Sequence, residues 1–235
     1  MAKDNHFVVY PNFNMYFCFV LRILHEQKGF AIFMQFFCIL WIVGFFFTLT
    51  QPKFQIHENL NFIHTAFLDL FFQLITFLGD GVFAVVLSIT VFFIIGKKEG
   101  ILILLTFLIS ALLAQFFKNF IFQEFMRPLF FIQAGELNVE IVTGIKMHLN
   151  NSFPSGHTTT IFSICSMFSL MYDSKKIGFL LLLTAILTAY SRIYLSQHFL
   201  QDILAGSLLG VFTTITINYI FSKKIEIKVN NSSEK

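Results

Sequence analysis

NSFPSGHTTT at residues 151–160 and SRIYLSQHFLQD at 191–202 are the stretches on which the reading of this chain turns. Each places charged or catalytically capable side chains at the edge of a long apolar run. Pro154-Ser155-Gly156-His157 opens one run, Ser191-Arg192 closes the next, and His198 and Asp202 open the last. Runs of this length predict membrane-spanning helices. The polar groups therefore sit at helix ends, where a bilayer tolerates them.

Outward from these stretches the composition is that of an integral membrane protein. Of 235 residues, 56% are hydrophobic and only 12% charged, against about a quarter charged in an ordinary soluble domain. Phenylalanine alone supplies 35 residues, more than one small core can hold, so many must face lipid. The formal charge of +3 is mild and scattered, with no basic stripe suited to nucleic acid. Cys18, Cys38 and Cys165 are far apart, lack metal-ligand spacing and read as small buried apolar residues.

The pattern predicts an all-α polytopic bundle of about six transmembrane helices, near residues 30–50, 81–96, 101–122, 156–172, 177–194 and 199–221. The second borrows a turn from the segment before it, and the fourth starts below the headgroups. Residues 59–79 carry Ile63, Phe67, Leu70, Phe71 and Leu74 at helical spacing, interrupted by His64, Asp69 and Gln73. This segment reads as a helix in the interface or leaning on the bundle, with a seventh span as the rival. Residues 10–28 predict an interfacial helix with Phe17, Val20, Leu21 and Leu24 on one side. Asp4 and His6 stand where a cleaved signal would be basic, so the first long apolar run is expected to be retained. The organisation is an N-terminal cytoplasmic or interfacial segment (1–29), a transmembrane domain (30–221) and a solvated cytoplasmic tail (222–235).

Orientation follows from basic residues. With both termini cytoplasmic, 11 of the 16 Lys and Arg lie inside. Lys53, Lys118, Arg127, Lys146 and Arg192 lie on the far side. Lys118, Arg127 and Arg192 share that face with Pro154–His157, His198 and Asp202. A charge at mid-bilayer costs roughly 2.5–3.5 kcal/mol on the insertion scale, and three neighbouring cations also repel. A phosphate dianion among them would relieve the repulsion. Guanidinium grips phosphate bidentately and lysine adds a point charge. Gly156 lets a ligand approach the free N–H groups of a helix start. His198 and Asp202, four apart, share a helix face, so the carboxylate can hold one imidazole nitrogen and leave the other to attack phosphorus. His157 can protonate the departing oxygen. This division of labour needs no metal or cofactor, and the sequence offers no acidic cluster for one.

At these residues the chain resembles the type 2 phosphatidic acid phosphatase family, which shares its active-site pattern with vanadium haloperoxidases. The family's second motif, Pro-Ser-Gly-His, is unbroken at Pro154 to His157. The third is Ser191-Arg192, five residues, His198, three residues, Asp202. The first, a lysine followed by Arg-Pro, departs: eight residues separate Lys118 from Arg127, where six are usual. The resemblance covers roughly residues 80–221. It implies His198 as the nucleophile of a phosphohistidine, Asp202 as its orienter, and His157 as acid and then base. It assigns Lys118, Arg127, Ser155, Gly156 and Arg192 to the phosphate. It further implies hydrolysis of a lipid phosphomonoester or diphosphate at the extracytoplasmic face of a bacterial inner membrane. Undecaprenyl diphosphate leads phosphatidylglycerophosphate, phosphatidate and lipid A phosphate as substrate. The expected partners are that lipid and the membrane, with no nucleic acid and no obligate protein. A lipid phosphotransferase and a non-catalytic lipid-binding or transport protein are the rivals.

Other polar residues have blander readings. Ser191 fits a bond within its helix as well as a phosphate contact. His25, His57, His64 and His148 lack motif partners and read as interfacial or loop histidines. Glu124 reads as an ion-pair partner, Asp80 as a turn residue at a span start, Pro154 as a turn-setter, and Trp41 and Tyr219 as lipid-facing or packing aromatics.

Overall fold

Ten helices account for the regular structure among the described residues of the computed structural model, whose backbone covers 13–61 and 63–233. The reading of Asp4 and His6 lies outside the described residues, as do the side chains from 223 onward. The helices are α1 (Phe13–Glu26), α2 (Lys28–Thr50), α3 (Lys53–Leu60), α4 (Ala66–Ile75), α5 (Gly81–Ile94), α6 (Lys97–Phe116), α7 (Pro128–Gln133), α8 (Gly156–Met171), α9 (Lys175–Tyr194) and α10 (Leu200–Ser233).

The six expected spans take three forms. Four helices are long and apolar enough to cross a bilayer: α2, α6 with a π turn at its end (Lys97–Ile121), α9, and Leu200–Ser222 of α10. A fifth is a broken pair. α4 runs through a 3₁₀ turn (Thr76–Gly79) and bends 60° at Asp80 into α5. Residues 66–79 and 81–94 thus act as one kinked unit, and the turn borrowed by the second span proves to be this whole segment. Asp80 caps α5, its carboxylate accepting from the Val82 amide at 2.7 Å.

The sixth, α8, has only 16 residues. It rises about 24 Å, short of the about 30 Å hydrocarbon core. It survives because lipid scarcely reaches it: Thr158 to Met167 are all buried, between α6, α9, α10 and α2. Close packing makes this possible. A Cβ on Gly206 would lie 2.6 Å from the Ser155 carbonyl oxygen, and one on Gly210 2.6 Å from that of Thr159. Small residues four apart let the α10 backbone touch α8. Ser166 Oγ then donates to Thr214 Oγ1 at 2.8 Å, and Thr214 Oγ1 to the Ser163 carbonyl at 3.0 Å. Hydroxyls thus replace lipid contacts at the centre of the bundle.

The outer surface is apolar, as the phenylalanine surplus requires. Phe93 and Ile94 on α5 are 78% exposed, and Phe67, Leu70, Leu74 and Phe77 line the outside of the kinked unit. Cys18 and Cys38 belong to this exposed surface, so only Cys165 is buried as expected. α1 turns Val20, Ile23 and Leu24 toward the core, whereas Phe17 and Leu21 point outward. Trp41 is a packing residue, its indole N–H donating to the Leu204 carbonyl at 3.0 Å. α10 continues as helix to Ser233, past the expected end at 221.

Chain direction sorts the charges. Lys97 and Lys98 start α6 and Lys175 and Lys176 start α9, whereas Lys118 and Arg192 lie at the opposite ends of the same helices. The starts of α8 and α10 share that second end, where all the motif residues gather.

Candidate active site

A cavity of about 550 Å³ opens at this end of the bundle. Its wall includes Lys118, Arg127, Gly156, His157, Arg192 and His198, six of the eight residues singled out from sequence. Each arrives on a different structural device.

Lys118 comes from the π turn Phe117–Ile121, closed by the Phe122 amide donating to the Phe117 carbonyl at 2.8 Å. Such a turn widens a helix by a residue and recurs at functional sites. Lys118 is buried, and a Cβ on Gly156 would lie 3.8 Å from its Nζ. The long spacing to Arg127 therefore does not keep this lysine from the pocket. Arg127 precedes α7 and is fixed by oxygen acceptors. Its Nε donates to the Asn150 carbonyl at 2.9 Å, its Nη1 to Gln197 Oε1 at 3.3 Å and its Nη2 to the Asn151 carbonyl at 3.4 Å. Arg192, in the last turn of α9, donates from Nη1 to Thr76 Oγ1 at 2.6 Å, while its buried Nε has no partner. Gly79 makes that contact possible, since a Cβ there would lie 2.8 Å from the His157 carbonyl oxygen. The 3₁₀ turn therefore presses directly against the start of α8.

Among the described residues, no carboxylate lies within ion-pair distance of Lys118, Arg127 or Arg192. Three nearly buried cations share a cavity without a counter-ion. Burial pushes the Arg127 guanidinium down from its ordinary value, and Asp202 partly restores it.

Asp202 stands behind the cavity wall. Its Oδ2 accepts from Ser152 Oγ at 2.5 Å, from the Phe199 amide at 3.0 Å and from His198 Nδ1 at 3.3 Å. Asp202 is fully buried and its Oδ1 has no partner. The carboxylate fixes the tautomer: Nδ1 carries the proton and Nε2 keeps its lone pair. Burial, then Arg127, Lys118, Arg192 and His157, holds the His198 imidazole well below the usual histidine range. The ring is thus neutral, oriented and available as a nucleophile.

Ser155, expected at the phosphate, and Ser191, read equally as a helix-bonding residue, both stand back. Ser155 caps α8, its hydroxyl accepting from Thr158 Oγ1 at 3.0 Å and its amide donating to the Asp202 carbonyl at 2.9 Å. It joins the two helix starts and does not line the cavity. Ser191 donates to the Thr188 carbonyl at 2.5 Å, within its own helix.

Sequence reasoning missed several participants. Ser152 precedes the Pro-Ser-Gly-His stretch and belongs to no motif, yet it holds Asp202. Gln197 was legible only as the neighbour of His198. Thr76 carried no signal. His148, taken for a loop histidine, lines the cavity with Gln73, Gln115 and Lys146. His57, expected at the interface or in a loop, is buried in α3. Its Nε2 lies 3.3 Å from Ser196 Oγ, and its Nδ1 has no partner. Asn61 donates to the same Ser196 oxygen at 2.8 Å and contacts His64, whose Nδ1 lies 3.2 Å from Asp69 Oδ1. Ser196 adopts a left-handed backbone, φ 48°, which this network holds in place. Glu124 is exposed and forms no ion pair among the described residues.

An integral membrane bundle with a cation-lined cavity and a carboxylate-held imidazole defines a class: membrane proteins that handle phosphate-like anions at a histidine. Comparison with known proteins places the chain within that class. The model of the PAP2 superfamily matches residues 99–226, and the chain belongs to this family. It is 31% identical over 134 residues to the undecaprenyl-diphosphatase of Sulfolobus acidocaldarius, covering 55% of this chain and 61% of that protein. The crystal structure of Aquifex aeolicus LpxE superposes with a TM-score of 0.61 at 27% identity, over 71% of this chain and 94% of that one. The PAP2 type phosphatidylglycerolphosphate phosphatase of Bacillus subtilis shares the fold, with a TM-score of 0.60 at 24% identity over 84% and 97% of the two chains. The chain spans between 35% and 61% of the length of the first curated relatives it matches.

Proposed function

We propose that this protein is a lipid phosphate phosphatase working through a phosphohistidine. The observation that carries the reading is the cavity. Among the described residues its three buried cations have no carboxylate within ion-pair distance, and the imidazole in its wall is held by a buried carboxylate. A pure lipid-binding protein has use for the cations but none for an oriented nucleophile.

The residues divide the work as follows. Lys118, Arg127 and Arg192, with the free amides at the start of α8, hold the phosphoryl oxygens and take up charge as it develops. Gly156 leaves room for the group to approach, and Ser155 fixes the α8 start that presents those amides. His198 Nε2 bonds to phosphorus. The bond to the leaving oxygen breaks with its electron pair, and that oxygen takes a proton from His157. Asp202 steadies the positive charge that builds on the His198 ring. Water then attacks phosphorus, gives its proton to His157, and releases phosphate with His198 restored.

A lipid substrate suits this position, since the cavity lies at the ends of membrane-spanning helices and opens beside the exposed Phe77 and Gln115. Among the lipids named for relatives, undecaprenyl diphosphate and lipid A phosphates fit the reading equally on fold. We assign residues 30–221 to the catalytic domain and the active site to the extracytoplasmic face of a cell membrane, following the lysines at the opposite end.

The test is phosphate release by the purified full-length protein from a panel of lipid mono- and diphosphates. Vanadate, EDTA and lipid-acceptor arms accompany it. Vanadate-sensitive release that His198→Ala abolishes while the protein stays folded is the expected result. Retained release in His198→Ala overturns the nucleophile. Loss in EDTA overturns the metal-free route, and release only with a lipid acceptor favours a phosphotransferase.

A further inference from the structure

The turn between α9 and α10 contains a residue of an unexpected type. Ser196 is left-handed, φ 48°, and buried. A Cβ makes that backbone costly, and glycine is its ordinary occupant at the end of a helix. Asn151 is the other non-glycine residue with positive φ among the described residues. Asparagine is a type enriched there, and serine is not. The turn itself has a defined form. The Gln197 amide donates to the Arg192 carbonyl at 2.9 Å and the Ser196 amide to the Ile193 carbonyl at 2.9 Å. This pair of bonds ends a helix through a single left-handed residue. The Arg192 carbonyl also accepts from the His198 amide at 3.1 Å. One left-handed residue therefore folds the nucleophile back onto the backbone of the phosphate-binding arginine.

The hydroxyl that a glycine would lack is bonded. Ser196 Oγ accepts from Asn61 Nδ2 at 2.8 Å and lies 3.3 Å from His57 Nε2. Asn61 Nδ2 also donates to the Ile193 carbonyl at 2.9 Å, so one amide grips both limbs of the turn. Asn61 is oriented from behind. Its Oδ1 faces His64 Nε2, and His64 Nδ1 lies 3.2 Å from Asp69 Oδ1. Tyr194, in the last turn of α9, donates its hydroxyl to that same carboxylate oxygen. The chain of contacts thus starts and ends on the last turn of α9 and its exit. His57, Asn61 and Ser196 are each at most 3% exposed. None of the residues in this chain lines the active-site cavity. Buried polar groups are costly unless bonded, and no ligand in the cavity can reach these. What they hold is the turn.

We propose that Asn61, His57 and Ser196 form a positioning device for His198. Asn61 and His57 hold Ser196 left-handed, and Ser196 sets where the His198 ring enters the cavity. The inference rests on the phosphatase reading above and extends it to residues outside the cavity. Asp202 orients the ring, whereas the turn places the backbone that carries it. Arg192 is fixed separately, by its helix and by the bond to Thr76. His198 lies beyond the turn. A relaxed turn therefore displaces the nucleophile and leaves the phosphate-binding cations where they are. The device acts on turnover and not on the binding of substrate.

Ser196→Gly and Ser196→Ala in the full-length protein separate hydroxyl from backbone. Both lose the bonds to Asn61 and His57, but glycine takes the left-handed conformation freely and alanine does not. For phosphate release from a lipid phosphate, Ser196→Ala should lower kcat about tenfold with KM within about threefold. Ser196→Gly should keep kcat within about threefold of wild type. A loss under about threefold in Ser196→Ala, or equal losses in the two variants, overturns the proposal. Asn61→Leu adds a rescue. It should lower kcat about tenfold alone and by less than about threefold in the Ser196→Gly background, where no strained residue remains to be held. Equal losses in both backgrounds make Asn61 merely structural and overturn its role. The serine pair decides the matter even where a thermal melt shows that Asn61→Leu does not fold. NMR of isotope-labelled histidine rings reads the geometry without activity. The His198 signal, identified by its absence in His198→Ala, should move in Ser196→Ala and stay in place in Ser196→Gly. Absence of phosphate release from every lipid by wild type overturns the phosphatase reading instead. The ring signal then still tests the device, and an unmoved signal in Ser196→Ala refutes it.

Discussion

Asp202→Asn isolates charge from geometry in this site. Asp202 Oδ2 receives three hydrogen bonds, from Ser152 Oγ, the Phe199 amide and His198 Nδ1, while Oδ1 is buried with no partner. An asparagine that places its oxygen at Oδ2 keeps all three bonds, and its amide nitrogen takes the vacant side. Only the negative charge is lost. That charge stands 3.3 Å from the ring nitrogen, so at an effective dielectric of about 20 it stabilises a positive imidazole by at most ~5 kcal/mol. The amide dipole recovers part of this, leaving roughly 3–4 kcal/mol, which corresponds to about a 10²–10³-fold loss in kcat. Asp202 does not line the cavity, so KM should change by no more than about threefold. The unfolding temperature should hold or fall modestly, because an orphan carboxylate oxygen is exchanged for an orphan amide nitrogen and the charge facing Arg127 and Lys118 is lost. Steady-state phosphate release with a thermal melt in the same detergent decides it. A kcat within tenfold of wild type in a folded variant refutes the idea that Asp202 steadies charge on His198.

Two further perturbations separate position from charge elsewhere. Arg192→Lys keeps a cation but loses the planar fork whose Nη1 holds Thr76 and whose Nε is free for a ligand. One charge-assisted bond is worth about 1.5–3 kcal/mol, so kcat/KM should drop about 10–100-fold, and a loss under threefold would refute the contact. His57 tests stability. Burial pushes its imidazole from 6.5 to about 4, so the unfolded chain takes up a proton before the folded one does. Its contribution is fully present above pH 6.5 and is lost as pH falls to 4, by about 3 kcal/mol in all. Wild type should therefore lose more thermal stability than His57→Gln over that window, and parallel curves would remove the claim.

The parts of the fold legible in sequence are those that follow from apolar run length. α2, α6, α9 and the first part of α10 are long runs that must be helical in lipid, because no other structure satisfies their backbone. α8 was legible for a different reason. Its hydroxyls and its 16 residues make it a short, marginal span by apolar run length, and the Pro-Ser-Gly-His stretch at its start was a second mark. The kinked unit was half legible. His64, Asp69 and Gln73 break the apolar run, and that signal pointed to a helix in the interface or leaning on the bundle, with a seventh span as the rival. It could not reveal the 60° bend, which depends on Asp80 capping α5 and on Gly79 pressing against His157.

The site divides along the same line. Groups whose chemistry demands a residue type, the two histidines, three cations and Asp202, could be picked out by type and spacing. Groups that act by touching another side chain could not. Ser152, Thr76 and Gln197 are ordinary residues until the fold carries Ser152 to Asp202, 50 positions away, and Thr76 to Arg192, 116 positions away. Lys118 shows how the two kinds meet. Its type announced a phosphate contact and its spacing argued against one, and a π turn resolves the conflict by reshaping the helix end.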